Sequence, residues 1–303
     1  MILSDAIRAA GWIPPQNIPA GKTSRFSTSD RGNDSNGWVY PFPDGTGAAF
    51  GCWRSGKVHT WQLKRDKPLT KAELTELKRK AEQAKRLAEI EREQRQQQAA
   101  IEAAQVVSNA QAAGLEHDYL TRKRIKPHNL LIDSQGRLIV KIFDQNGQLV
   151  NIQRISPDGT KRFLCGGKIK GCYSIIGDYS TSEMLLIGEG WGTMASLYQH
   201  TSFCCIAALS ASNLKVVAEY WSNRCPDKKI ILAGDNDSHG KGQQAAHLAA
   251  LSVNGLLMIP PVAGMDFNDW LNFGGVIDVP STFASVATFA VAKPKNMEVL
   301  SNE

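Results

Sequence analysis

A chain of 303 residues, 42% of them hydrophobic, is long enough to bury a substantial core, and it is expected to hold two or three compact units. Its apolar runs, such as MLLIGEG and IILAG, fall far short of the ~20 residues that cross a bilayer, and no amino-terminal stretch has the order of a signal peptide, so no membrane partner is expected and the cytoplasm is the expected compartment. The formal charge of +6 leaves a polyanionic partner open without requiring one, and none of the six cysteines forms a C-x-x-C pair that would read as a zinc ribbon or redox motif.

Residues 1–66 are rich in Gly, Ser, Asp and aromatics, and turn signals at SNG, PDG and RSG cut them into short strands, which predicts a small β-rich module. Residues 67–112 read as a charged helical spacer. Thr70 and Glu73 fit a capping box, with Leu69 and Leu74 as the hydrophobic staple around it. Glu76/Lys80, Glu82/Arg86 and Glu91/Arg95 stand four apart in the favourable order, while Leu74, Leu77, Ala81, Ala84 and Ala88 make only a thin apolar stripe, so a solvated helix is expected rather than a coiled-coil seam.

In residues 113–182, GRLIVKIFD, GQLVNIQRIS and KRFLCGG are separated by the turns DSQG, DQNG and SPDG, which predicts an antiparallel meander. Basic residues crowd its flanks: Arg122 and Arg124 in TRKRIK, Lys161 and Arg162 in KR, Lys168 and Lys170 in KIK. They either solvate an edge or, beside glycines that let a backbone approach, contact phosphate.

From 183 to 275 near-continuous apolar strands alternate with amphipathic helices, which describes an α/β unit: a parallel sheet with helices on both faces. Ligands of such sheets collect at the carboxyl ends of the strands, and acids stand there. Glu189 ends the first strand, Asp235 and Asp237 end the third, and Asp266 and Asp269 follow the fourth in GMDFNDWL. Residues i and i+2 of an extended segment point to one side, so Asp235 and Asp237 are expected to converge. Five acids at one edge call for a cation, and oxygen ligands without His or Cys favour Mg²⁺ or Mn²⁺. Each Asp alone is equally well read as a helix cap or an Asx-turn. DNDSHGKG is no EF-hand, because loop position twelve is Ala246, and GKGQQ lacks the Walker A pattern. Residues 276–303 form a tail without a readable role.

LLIGEGWGTMASL, IILAGDND and GMDFNDW resemble the successive motifs of a Toprim domain. The segment from HDYLTRKRIKPHNLLID to KIKGCYSIIG resembles the part that precedes Toprim in phage and conjugative-plasmid primases, and RFSTSDRGNDSNGWVYPFPDGTGAAFGCWRSG is similar to their amino-terminal module. The resemblance implies a DNA primase that makes short RNA primers on single-stranded DNA from ribonucleoside triphosphates in plasmid or phage replication. It implies Glu189 as a metal-positioning acid or general base, Asp235 and Asp237 holding Mg²⁺ against nucleotide phosphates, Asp266 and Asp269 supporting the metal, and Lys161, Arg162, Lys168 and Lys170 along the template or nucleotide path, with Arg122 and Arg124 beside them. A replicative helicase would come from another chain.

Two departures stand out. Many such primases carry an amino-terminal zinc ribbon, whereas this module offers only Cys52 and His59 as ligand types, so no zinc is predicted. Phe26, Trp38, Tyr40, Phe42, Trp53 and Trp61, mixed with Arg25, Arg31, Arg54 and Lys57, either stack on bases or form a small core; Trp38, Trp53 and Arg54 are the candidates for strand binding. Where the primase motif has an acid a few residues after Glu189, this chain has Gly192 and Thr193. A Toprim nuclease using the same acids, or a non-catalytic single-stranded-DNA-binding protein, are the alternative readings.

Overall fold

The structure is a computed structural model that describes residues 2–28, 34–53, 55–63 and 70–277. Arg31, Arg54, Leu69 and the tail after 277 lie outside the described residues, as do the side chains of Leu77, Lys80, Ala81 and Ala84. The chain forms two compact units, Met1–Gln83 and Ala84–Glu303.

The first unit opens with helix α1 (Leu3–Ala9), followed by β1 (Ser24–Phe26), β2 (Gly37–Pro41), β3 (Gly47–Cys52) and β4 (Val58–Gln62), a four-stranded antiparallel sheet in sequence order. The period-2 alternation divides its aromatics. Phe26, Val39 and Phe50 are buried against Ile7 of α1, while Trp38 lies half-buried. His59 stacks on Phe50 with ring centroids 5.3 Å apart, and an aromatic cluster with Trp12 fills the centre of the module. The turns fall where PDG and RSG place them, with Gly45 and Gly56 at positive φ.

Helix α2 (Lys71–Asn109) begins with the expected capping box: the Thr70 amide donates to Glu73 at 2.8 Å and the Glu73 amide donates back to Thr70 Oγ1 at 3.3 Å. Arg95 pairs with Glu91 at 2.7 Å, and Glu76 takes Arg79. The helix is not solvated throughout. Ala99 and Ala103 are buried, and with Val106 and Val107 they pack on Ile139, Ile152 and Leu164, because this stretch carries apolar residues every three to four positions.

The second unit then builds β5 (Gln111–Ala112), α3 (Asp118–Lys123), β6 (Leu131–Ile132), β7 (Leu138–Phe143), β8 (Leu149–Ile155) and β9 (Lys161–Phe163), with β5 to β9 forming one antiparallel meander. The three expected turns close it: Gly136, Gly147 and Gly159 donate back to Asp133, Asp144 and Ser156 at 3.0, 2.9 and 2.8 Å.

The last sheet contains β10 (Ser174–Ile176), β11 (Met184–Gly188), β12 (Cys204–Ala207), β13 (Lys229–Ala233) and β14 (Leu256–Met258), ordered β10-β12-β11-β13-β14. Its helices are α4 (Trp191–Thr201), α5 (Leu214–Arg224), α6 (Lys241–Ser252) and α7 (Phe267–Asn272). β11 to β14 run parallel, as expected. β10, which lies in the stretch read as meander, instead adds an antiparallel edge to this sheet by pairing with β12.

Both faces are covered. Leu186 packs with Trp191 and Met194 of α4 and with Phe267 and Trp270 of α7, while Leu185 and Ile187 pack with Val217 and Trp221 of α5 and Ala246 and Ala250 of α6. Burying each such aliphatic side chain stabilises the fold by about 1.5–3 kcal/mol. The first of these cores continues into Tyr119, Leu120, Leu138 and Ile155, so meander and parallel sheet share one interior. The connection after β11 runs to β12 on one side and the connection after its neighbour β13 runs to β14 on the other, which opens a crevice at the carboxyl ends of β11 and β13. Among the described residues, no helix is long and apolar enough to cross a membrane.

Candidate active site

Glu189 follows β11 directly, and its carboxylate accepts the Ala211 amide. Burial pushes its pKa above the usual carboxylate value, and the Asp237 charge adds to that. Asp235 leaves the neighbouring strand β13 after Gly234. Its Oδ1 is buried and has no hydrogen-bond partner, and burial, followed by the charges of Asp266 and Glu189, pushes the carboxyl up to about 7. An ionised carboxylate so placed is stabilised chiefly by gaining a cation.

Asp237 has a different task. Its two oxygens accept the amides of His239 at 2.9 Å, Lys241 at 3.1 Å and Gly242 at 2.6 Å, so it caps the start of α6, and these bonds hold its pKa below the usual range. The expected convergence of Asp235 and Asp237 is therefore divided: the pair is close enough to repel, but the unsatisfied amides of α6 draw Asp237 into a cap. Asp266 is likewise the N-cap of α7. Its Oδ1 accepts the Asp269 amide at 2.8 Å in a capping box.

Two lysines from the meander reach these acids. Lys123, the last residue of α3, places Nζ 3.2 Å from Asp269 Oδ1 and 3.6 Å from Asp266 Oδ2. Its carbonyl accepts the Asn268 side-chain amide at 2.6 Å and that of Asn272 at 3.2 Å, which fastens α3 to α7. Lys161, on β9, has its ammonium under the fields of Asp266, Asp235 and Glu189, while burial and then Lys123 pull its pKa down.

The other expected basic residues are not gathered here. The Arg122 guanidinium donates to the Pro157 carbonyl at 3.0 Å, Arg124 is the left-handed cap of α3, Arg162 and Lys170 are exposed, and Lys168 lines a separate cavity with Glu93, Gln97 and Asp144. In the first unit Trp53 is 61% exposed, lies tilted by 35° against Trp38 with centroids 5.6 Å apart, and carries the Arg25 guanidinium 5.5 Å from its ring centroid.

Sequence reasoning missed Lys123 and Tyr119. The stretch TRKRIK was singled out for the neighbours of Lys123, and Tyr119 carried no local signal. Tyr119 is 3% exposed, its hydroxyl has no partner, and burial pushes its pKa up to about 12. A Cβ on Gly192 would collide with that hydroxyl, so the space where the resembled motif places an acid is filled by Tyr119. Thr193 Oγ1 donates to Asp266 Oδ2 at 3.3 Å.

Among the described residues, no three His, Cys, Asp or Glu side chains meet round one point as a finished metal cage. The buried, unpartnered Asp235 oxygen, whose carboxyl feels the charges of Asp266 and Glu189, nevertheless suits a hard divalent ion with water among its ligands.

Residues 184–276 match the family described as Toprim domain. The chain is 29% identical over 276 residues, 85% of its length, to a protein named DNA primase TraC of Escherichia coli, and 28% identical over 221 residues to another of that name. It spans only 26% and 15% of the lengths of those relatives. The primase fragment of the bacteriophage T7 primase-helicase protein aligns over 83% of this chain and 95% of its own with 14% identity and a TM-score of 0.42. The Aquifex aeolicus primase, zinc binding and RNA polymerase domains, aligns over 89% of this chain and 80% of its own with 12% identity and a TM-score of 0.37. The resemblance to Toprim primases of plasmid type is borne out by the family match and the curated relatives.

Proposed function

We propose that this chain is the primase portion of a plasmid or phage replication system, joining ribonucleotides into short primers on single-stranded DNA by metal-dependent nucleotidyl transfer. The observation that carries this reading is the unpartnered Asp235 carboxylate beside Glu189, at the switch point of a sheet that matches the Toprim domain. The similarity to primases supports the substrate class.

Asp235 and Glu189 would hold Mg²⁺ or Mn²⁺. A divalent ion there supplies a lower cost of ionising the attacking 3′-hydroxyl and neutralises charge on the leaving pyrophosphate. In the transfer the 3′-oxygen bonds to the α-phosphorus, the bond to the bridging oxygen breaks, and pyrophosphate leaves with that electron pair. Glu189, whose pKa burial raises above the usual carboxylate value, would take the hydroxyl proton. Asp237 and the Asp266/Asp269 box hold the loops that frame the site, while Lys161 meets substrate phosphate. Trp53 and Arg25 of the first unit offer a stacking face for the template strand. A separate helicase would open the duplex.

The test is incorporation of labelled ribonucleotides on single-stranded DNA with Mg²⁺ or Mn²⁺. Short products support the reading, a cut template without products replaces it with a nuclease, and tight strand binding with neither leaves a binding protein.

A further inference from the structure

The loop between β12 and α5 is bound to Glu189 through its backbone. The Ala208 amide donates to the Gly188 carbonyl and the Leu209 amide to the Glu189 carbonyl, both at 2.8 Å, so pairing with β11 runs on past the end of β12. The chain then turns through Leu209 and Ser210 into a short 3₁₀ turn (Ala211–Asn213), whose first amide donates to the Glu189 carboxylate. Leu209 bends the chain with a φ of +71°, in the left-handed region that a bulky residue rarely adopts, and its side chain is buried. Such a backbone persists only where its surroundings over-determine it.

Asn213 supplies that constraint. It is 3% exposed, and its Oδ1 accepts the Gly171 amide at 2.7 Å. Its Nδ2 reaches the carbonyls of Ala208 at 2.8 Å, Cys172 at 2.9 Å and Ile169 at 3.1 Å. An amide donor on one side and three carbonyls on the other fix which end of the side chain faces which. Aspartate has no donor to offer the carbonyls, and an apolar residue would leave all four groups without this partner. One side chain thus ties the residue before Leu209 to the turn that joins β9 to β10.

We infer that Asn213 is a positioning residue for Glu189: by holding Ala208 against the Ile169–Cys172 turn, it keeps the strained loop in the shape that brings the Ala211 amide to the Glu189 carboxylate. This deepens the function proposed above and rests on Glu189 being one of the acids that hold the divalent ion. Hydrogen-bond partners that orient a metal-binding carboxylate typically change metal affinity by about tenfold or more when they are removed.

The full chain is titrated calorimetrically with Mn²⁺ as wild type, Asn213→Ala, Ala211→Pro, Glu189→Ala and the Asn213→Ala/Glu189→Ala double variant, with folding checked by circular dichroism. Ala211→Pro removes the one donor that touches the carboxylate. Ser210 before it is extended, with φ −163° and ψ 153°, and proline suits the first position of a helical turn, so the backbone can stay in place. This variant decides the matter if Asn213→Ala does not fold. Asn213→Ala and Ala211→Pro should each weaken Mn²⁺ binding by about tenfold in the folded protein, a loss that a purely structural role would not produce. The double variant should bind no more weakly than Glu189→Ala alone, because both changes act on the same acid. Unchanged Mn²⁺ affinity in Ala211→Pro, a further loss in the double variant, or no Mn²⁺ binding by the wild type overturns the inference. If the wild type makes no primers but Mn²⁺ affinity falls in this pattern, the positioning role stands and the primase reading falls.

Discussion

The Lys123 ammonium lies 3.2 Å from the Asp269 carboxylate, joining the end of α3 in the meander to the start of α7 beside the parallel sheet. The same ammonium is 3.6 Å from Asp266, so one lysine neutralises two acids that would otherwise repel each other. Lys123→Met should therefore cost about 1 kcal/mol, a modest figure because the groups are partly exposed. Thermal melts of Lys123→Met, Asp269→Asn and the double variant form a cycle, and a coupling of about 0.5–1 kcal/mol is expected. Strictly additive losses would show that the contact does not contribute.

Gly192 gives a prediction of opposite sign to the usual helix rule. Alanine in place of an interior helical glycine ordinarily stabilises by up to ~1 kcal/mol. Here the added methyl group would meet the Tyr119 hydroxyl, so Gly192→Ala should lower the melting temperature. Removing that oxygen with Tyr119→Phe should recover most of the loss. No recovery in the double variant would mean that the obstacle lies elsewhere.

Much of this architecture was legible because it is written in short sequence windows. The parallel strands are continuous apolar runs, and the acids at their ends could be placed at one sheet edge from the alternation of strands and helices. What was not legible depends on partners distant in sequence. Asp237 and Asp266 turn into caps because the helices begin where they do, and residue type alone left cap and ligand equally open. Lys123 and Tyr119 matter through residues more than 70 positions away. β10 is three residues long, too short for its periodicity to show which sheet it joins. The buried end of α2 rests on Ala99 and Ala103, small residues whose pattern reads as solvated until a partner surface is present.

The raised pKa of Asp235 gives a pH prediction for the metal-free protein. The folded-state value, about 7, lies above the ordinary carboxylate value, so the protonated form is favoured by folding. The associated stability is fully present below the unfolded-state pKa and is lost as pH rises toward and through about 7. In EDTA the wild-type melting temperature should fall relative to Asp235→Asn over that window. Mg²⁺ should restore more stability above pH 7 than below it. Parallel melting curves for the two proteins would remove Asp235 as the source.

The aromatic face of the first unit separates binding from folding. Trp53→Ala removes an exposed ring paired with Trp38 and Arg25, and it should weaken single-strand binding by about 1–3 kcal/mol with little change in melting. Phe50→Ala, which empties a buried position, should instead destabilise the unit by about 3–5 kcal/mol. Fluorescence anisotropy with a labelled oligonucleotide gives the comparison; unchanged affinity in Trp53→Ala would remove this face from the template path.

The central claim is that Asp235 is the metal-binding acid of a nucleotidyl transfer. The most direct measurement is primer synthesis by wild type and Asp235→Asn side by side, on single-stranded DNA with labelled ribonucleotides and Mg²⁺, with folding of both proteins checked by circular dichroism. The account predicts short products from the wild type and a loss of at least about a hundredfold in the variant, which keeps its fold because it also loses a like-charge repulsion. A folded Asp235→Asn protein that makes primers at the wild-type rate would contradict it.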